Sequence, residues 1–209
     1  MPESFELDKV KKYFSDKLNA HGATHLGVDY NSTESQEARF FQLTKVLDPS
    51  RKYSLLDFGC GYGGMYDYLV RLGHNLHYVG YDISEPMIAR GRELHPDNPD
   101  CWFTSDLREM PVLDYAVVSG TFNMKLDADL EVWTGIILEA LREMNDRASK
   151  GFAFNMLTKY SDADRMRPDL YYADHTFLFD YCKRHFSRNV ALLHDYGLYD
   201  FTILVRKDV

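Results

Sequence analysis

The sequence predicts an α/β fold, a doubly wound sheet of seven strands whose last strand runs antiparallel, preceded by a helical cap. Three observations carry this reading. From about residue 51 onward, apolar β-rich runs alternate with segments of helical period, a pattern that demands right-handed crossovers and a parallel sheet covered on both faces. The first of these runs ends in a glycine-rich turn, Gly59-Cys60-Gly61-Tyr62-Gly63-Gly64, where strand passes into helix. The chain closes on two β-rich runs separated only by Asp195-Tyr196-Gly197-Leu198-Tyr199-Asp200, too short for a helical crossover.

Phe5, Val10, Phe14 and Leu18 recur at near-helical spacing with Lys and Asp between them, which predicts an amphipathic helix over 5–18. A polar, turn-rich stretch follows. Asn31-Ser32-Thr33-Glu34 then supplies capping chemistry for a second helix over 34–47, closed by Asp48-Pro49. Beyond this preface the pattern predicts strands over 54–58, 77–83 and 102–105, with helices over 65–72 and 86–94 between them. A strand over 114–119, a long helix over 130–148, a strand over 151–157 and a helix over 175–184 continue the alternation. The runs at 190–194 and 201–205 pair as a terminal antiparallel hairpin. No internal repeat or low-complexity segment interrupts this order, so residues 1–209 are read as one domain, with the helical cap over 1–50 and the core over 51–209.

Composition excludes several classes. Hydrophobic residues at 45% and charged residues at 27%, with 13 Gly and 7 Pro, rule out a disordered, collagenous or disulfide-dense chain. The formal net charge is −8, and no run of Lys or Arg exceeds two residues, so neither nucleic acid nor an anionic membrane surface is expected as a partner. Cys60, Cys101 and Cys182 are odd in number and form no CxxC pair; they read as reduced thiols of a cytoplasmic protein, with no metal cluster. The first 19 residues carry charges throughout and lack a secretory apolar core, and no apolar run approaches the roughly 18 residues a bilayer requires.

The glycine turn lets backbone approach a ligand closely, and the helix that follows offers free N–H groups. Asp82, about 20 residues beyond Gly59 at the end of the second strand, is placed to accept hydrogen bonds from ribose hydroxyls. Asp106, ending the third strand, is placed to meet an adenine amino group, although capping the next turn would suit it equally. All three elements lie at the carboxyl edge of the sheet, where open α/β folds bind ligands. Gly59, Gly61 and Gly64 also satisfy GxGxxG, so the glycines by themselves suit a dinucleotide as well. Three features favour S-adenosylmethionine instead of NAD: the acid Asp57 two residues before the first glycine, the acid closing the third strand, and the terminal hairpin.

On these residues the chain from about 54 to 209 resembles the class I S-adenosylmethionine-dependent methyltransferases, whose Rossmann-like sheet of seven strands ends in this reversed strand. The resemblance implies that Asp57, Gly59, Cys60, Gly61 and Gly63 line the methionine and ribose, that Asp82 with Ile83 holds the ribose, and that Asp106 with Leu107 flanks the adenine. The segment from Asp114 to Asn123 is similar to the fourth-strand motif bordering the methyl group, which brings in Ser119 and Gly120. Its usual acid or Asn-Pro-Pro signature is absent, which argues against an amino-group methylase of nucleic acid and against a metal-dependent catechol enzyme. In small-molecule members of the family the amino-terminal helices close over the cofactor. Gln36 and Arg39 share a helix face at i, i+3, and Arg39 is a candidate to grip the cofactor carboxylate; Tyr13 is a weaker candidate of the same kind.

The expected activity is methyl transfer from S-adenosylmethionine to a small polar acceptor, at oxygen, on a sugar or a secondary metabolite. A hydroxyl acceptor profits from a general base, whereas a carboxylate or free amine needs none. His175, which follows the aperiodic segment 158–174, is the favoured base over His21, His25 and His194, and Asn155 at the end of a strand is a candidate to orient the acceptor. The segment itself reads as a lid whose Arg165 and Arg167 could steer an anion. An NAD-dependent oxidoreductase on the same architecture and a non-catalytic cofactor-binding subunit stand as the alternatives.

Overall fold

The computed structural model describes residues 5–207. It opens with α1 (Phe5–His21), a 3₁₀ turn (His25–Val28) and α2 (Thr33–Thr44). There follow β1 (Tyr53–Phe58), α3 (Gly64–Arg71), β2 (Leu76–Tyr81), α4 (Glu85–Leu94), β3 (Cys101–Thr104) and β4 (Leu113–Val118). α5 (Leu130–Arg147), β5 (Ala148–Leu157), α6 (His175–His185), β6 (Asn189–Leu193) and β7 (Asp200–Arg206) complete the chain.

The strands form one sheet in the order β3-β2-β1-β4-β5-β7-β6. β1 to β5 pair in parallel, and β7 inserts antiparallel between β5 and β6. Leu55, Leu56, Tyr78, Val79, Ala116 and Phe154 are all fully buried, as strands covered on both faces require. One apolar layer joins the sheet to α5 and α6 around Trp133, Ile137 and Leu178. The other joins it to α2 and α3 through Phe40, Leu43 and Leu69. The strand order reverses between β1 and β4, and the carboxyl ends of those two strands open a crevice there.

Ser32 caps α2, its hydroxyl accepting the Ser35 N–H at 3.1 Å, close to where the sequence places the helix start. α2 packs against α3 as a layer helix, with Phe40 on Tyr68, and also lends Gln36, Arg39 and Phe40 to the crevice that α1 and the His25–Val28 turn overhang. Several element ends shift by one to three residues, and the contacts explain two of them. α5 runs into β5 without a loop, because Ala148 at the end of the helix already pairs with Leu113 in the sheet. β2 ends at Tyr81, two residues early, because the Asp82 carboxylate turns back to accept the Ser84 N–H at 2.8 Å.

The segment 158–174 carries a short 3₁₀ turn at Ala163–Arg165 and is tied back to the core at both ends. Thr158 bridges to Ala173, Met124 bridges to Leu170, and the Tyr171 N–H reaches the Asn123 carbonyl at 2.8 Å. No helix among the described residues is long and apolar enough to cross a membrane.

Candidate active site

A cavity of about 410 Å³ lies at the carboxyl ends of β1, β2 and β4, within the size range of small-ligand sites. Its floor is the glycine turn, where Gly59 and Cys60 donate their N–H groups to the Tyr81 carbonyl at 2.7 and 2.9 Å. Gly59 holds φ of +78°, and a Cβ there would fall 2.2 Å from Thr121 Oγ1, so only glycine fits the close approach of the turn to the β4 end. Asp82 accepts the Gly61 N–H at 2.9 Å as well as that of Ser84, and burial raises its pKa against the pull of those two donors. Asp57 is 2% exposed and accepts the Tyr78 hydroxyl at 2.7 Å. Burial pushes its carboxyl up to about 7, with the Asp82 charge adding to the effect and the Tyr78 hydrogen bond opposing it.

The β4 end is clamped from two sides. Gly120 donates its N–H to Asn155 Oδ1 at 2.8 Å, which fixes which way the Asn155 amide faces and leaves its buried Nδ2 without a partner. From the cap, the Tyr30 hydroxyl bonds Ser119 at both the carbonyl, 3.0 Å, and Oγ, 2.8 Å. Burial pushes the Tyr30 phenol up to about 12. The roof comes from α1 and the segment 158–174. Tyr13 donates to Asp29 at 2.8 Å, Lys17 pairs with the same carboxylate at 2.6 Å, and Arg167 lies against Tyr13 while forking onto Asp169.

Of the residues singled out from the sequence, Gln36, Arg39, Asp57, Gly59, Cys60, Gly61, Asp82, Ile83, Ser119 and Gly120 line this cavity. Others do not. Gly63 caps α3 just behind the turn, with Gly64 in its place on the wall. Asp106 turns to its own loop: its carboxylate accepts the Arg108 N–H at 2.9 Å and the Arg108 guanidinium, which holds its pKa down at about 2. The local capping reading is therefore the one the structure shows for Asp106, and Leu107 beside it packs on the core. Arg39 lines the cavity, but its fork is occupied by Asp200, at 3.0 and 2.5 Å, so it does not present a free bidentate face to a cofactor carboxylate.

The structure does not bring His175 into the cavity either. At 8% exposure its ring packs among Tyr160, His194 and Phe201, and its Nδ1 is buried without a partner. Burial, with His194 beside it, lowers its pKa. Asn155 acts on the site through the Gly120 backbone, behind the wall. Sequence reasoning passed over Tyr30, Trp133, Tyr199 and Phe14, all of which line the cavity. With 15 Tyr and 13 Phe in the chain, spacing alone does not mark them. Among the described residues no cluster of His, Cys, Asp or Glu could hold a metal ion.

Residues 56–146, which span the glycine turn, Asp82 and the β4 end, match the family model described as a methyltransferase domain. The Mycobacterium tuberculosis protein Rv1506c, a methyltransferase by name, is 44% identical over 163 residues, covering 78% of this chain and 98% of its own. The crystal structure of magnesium protoporphyrin IX methyltransferase from Synechocystis PCC 6803 with bound SAM superposes with a TM-score of 0.64 at 14% identity, covering 99% of this chain and 100% of that one. The 1,6-didemethyltoxoflavin-N1-methyltransferase of Burkholderia thailandensis gives 0.62 at 17% identity, over 99% and 92% of the two chains. At such identities the solved structures speak for the fold alone. None of these comparisons favours the oxidoreductase or the non-catalytic subunit. With a domain model seated on the glycine turn and a relative of this identity along most of its length, the chain belongs to the class I S-adenosylmethionine-dependent methyltransferases.

Proposed function

We propose that this methyltransferase acts on a small polar acceptor and transfers the methyl group to an oxygen acidic enough to ionise without a protein base. The observation that carries this reading is the cavity itself, which has room for a cofactor and a small acceptor and presents tyrosines and arginines at its mouth, with no histidine among its described lining residues. The residues present fit an adenosyl sulfonium. The Asp82 carboxylate suits ribose hydroxyls, Asp57 suits an ammonium, and the glycine turn admits backbone contact where any Cβ would collide. Bound there, S-adenosylmethionine supplies a methyl group already activated by the sulfonium charge.

What remains for the chain is positioning and exclusion of water. Asn155 and Tyr30 hold the Ser119–Gly120 turn from opposite sides, and Gln36, itself 8% exposed, lies beside the glycine turn. A sugar hydroxyl would require a base worth about 10²- to 10⁴-fold in rate, and Tyr30, with its raised pKa, cannot serve as one at neutral pH. A phenolic, enolic or carboxylic oxygen has no such requirement. Of the two acceptor classes the sequence suggests, a secondary metabolite bearing such an oxygen is therefore the better match. Incubating the protein with methyl-labelled S-adenosylmethionine and a panel of phenols, carboxylic acids, sugars and amines tests this. Label is expected in the first two classes; turnover of sugars or amines alone would contradict it.

A further inference from the structure

Three arginines line the cavity, and two of them are matched by carboxylates: Arg39 forks onto Asp200 and Arg167 onto Asp169. The third, Arg165, has no carboxylate partner of its own among the described hydrogen bonds and ion pairs. Its guanidinium lies over the Tyr199 ring, 6.0 Å from the centroid, and the Tyr199 hydroxyl is in turn anchored on Asp162. The acids of the cavity wall are all engaged. Asp29 is held by Lys17 and Tyr13, Asp57 by Tyr78, and Asp82 by two backbone N–H groups. Asp57 and Asp82 lie at the floor, so at the mouth Arg165 is a cation with no carboxylate of its own, in a protein whose net charge of −8 would otherwise repel anions.

Arg165 sits at the mouth, exposed, on the Ala163–Arg165 turn, whereas Asp57 and Phe58 at the floor are buried. A planar guanidinium fork matches carboxylate or phosphate oxygens bidentately, and an aromatic face beneath it limits the orientations it must give up on binding. Resting on the methyl-transfer reading above, we infer that the acceptor carries an anionic group, carboxylate or phosphate, separate from the oxygen that is methylated, and that Arg165 receives it at the mouth. The reacting oxygen then points inward while the charge stays at the rim, and the methylated product keeps that charge.

The test uses the full-length protein, methyl-labelled S-adenosylmethionine and a small-molecule extract of the source cells separated on an anion exchanger. Label is expected in fractions retained at neutral pH, and in products that are still retained after reaction. Phosphatase treatment of the active fraction beforehand abolishes labelling if the anion is a phosphate and spares it if the anion is a carboxylate; either result supports the inference. Arg165→Ala should raise the apparent KM for the active fraction about 10- to 100-fold, as expected for losing a charge-assisted hydrogen-bond pair, with kcat and S-adenosylhomocysteine affinity nearly unchanged. Arg165→Lys should restore part of the loss. Labelling confined to unretained fractions, or an unchanged KM in Arg165→Ala, overturns the inference while leaving methyl transfer standing. If S-adenosylhomocysteine binds and no fraction of any charge is labelled, the small-molecule reading of the site fails, and this inference with it.

Discussion

The two ends of the cavity are built from different materials. At the end formed by β1, β2 and β4 the wall is largely backbone: a glycine turn hydrogen-bonded to the Tyr81 carbonyl, and an aspartate engaged by two N–H groups. At the other end many of the polar groups are side chains held by other side chains. Tyr13 rests on Asp29, Arg167 on Asp169, Tyr199 on Asp162, and Arg165 over Tyr199. Backbone carried on paired strands is hard to alter one residue at a time, whereas side-chain pairs on loops exchange freely. The first construction suits a ligand that never changes and the second one that does.

Substitutions can break or sharpen this contrast. The largest effect is expected from Gly59→Ala, which adds a Cβ 2.2 Å from Thr121 Oγ1 at a backbone φ of +78°. Backbone strain of this kind costs about 1 to 3 kcal/mol, so the variant should melt lower and lose S-adenosylhomocysteine binding by calorimetry. Full binding would mean that the turn is not the rigid wall described. Asp82→Ala removes the acceptor of two N–H bonds and, on the proposed reading, of the ribose hydroxyls, and should weaken S-adenosylhomocysteine by about 1.5 to 3 kcal/mol while acceptor specificity is kept.

Asp57 gives a pH signature at the same end. Its carboxyl rises from 3.8 to about 7 in the fold, so the folded chain binds a proton that the unfolded chain releases between those values. The stability this contributes is complete below the unfolded pKa and is lost as the pH rises through about 7. Asp57→Asn removes that titration, so the Tm of the wild type should fall relative to the variant across this window. Parallel Tm curves would show that Asp57 is ionised in the fold. The smallest effect is expected from His175→Ala, which leaves the cavity lining intact. Turnover and cofactor affinity should stay close to those of the wild type, and a loss of about 10²-fold or more in kcat would restore His175 as the base.

Much of the fold was legible because its signals are local. The runs around Leu55, Val79 and Val117 alternate with helical segments, and the short link to Phe201 forces the antiparallel hairpin. The glycine-turn end of the cavity was legible for the same reason, since clustered glycines after a strand and an acid at the next strand's end are local signals, and both line the cavity. Tertiary partners were not. Asp200 lies 161 residues from Arg39, and nothing near Arg39 signals that its fork is already taken. Asp106 could serve an adenine or its own turn, and the neighbouring Arg108 decides in favour of the turn. His175 follows the segment 158–174 in sequence, yet the segment folds back through the Thr158 to Ala173 bridge and the ring packs among Tyr160, His194 and Phe201. That α2 also packs as a layer helix was not legible, because its apolar partners, Tyr68 among them, are distant in sequence.

The most direct test is a crystal structure of the protein soaked with S-adenosylhomocysteine. Density is expected in the crevice between β1 and β4, with the ribose hydroxyls within hydrogen-bond distance of Asp82 and the amino group facing Asp57. A crevice filled by side chains, or a ligand seated away from Asp82, would contradict the assignment of the glycine-turn end.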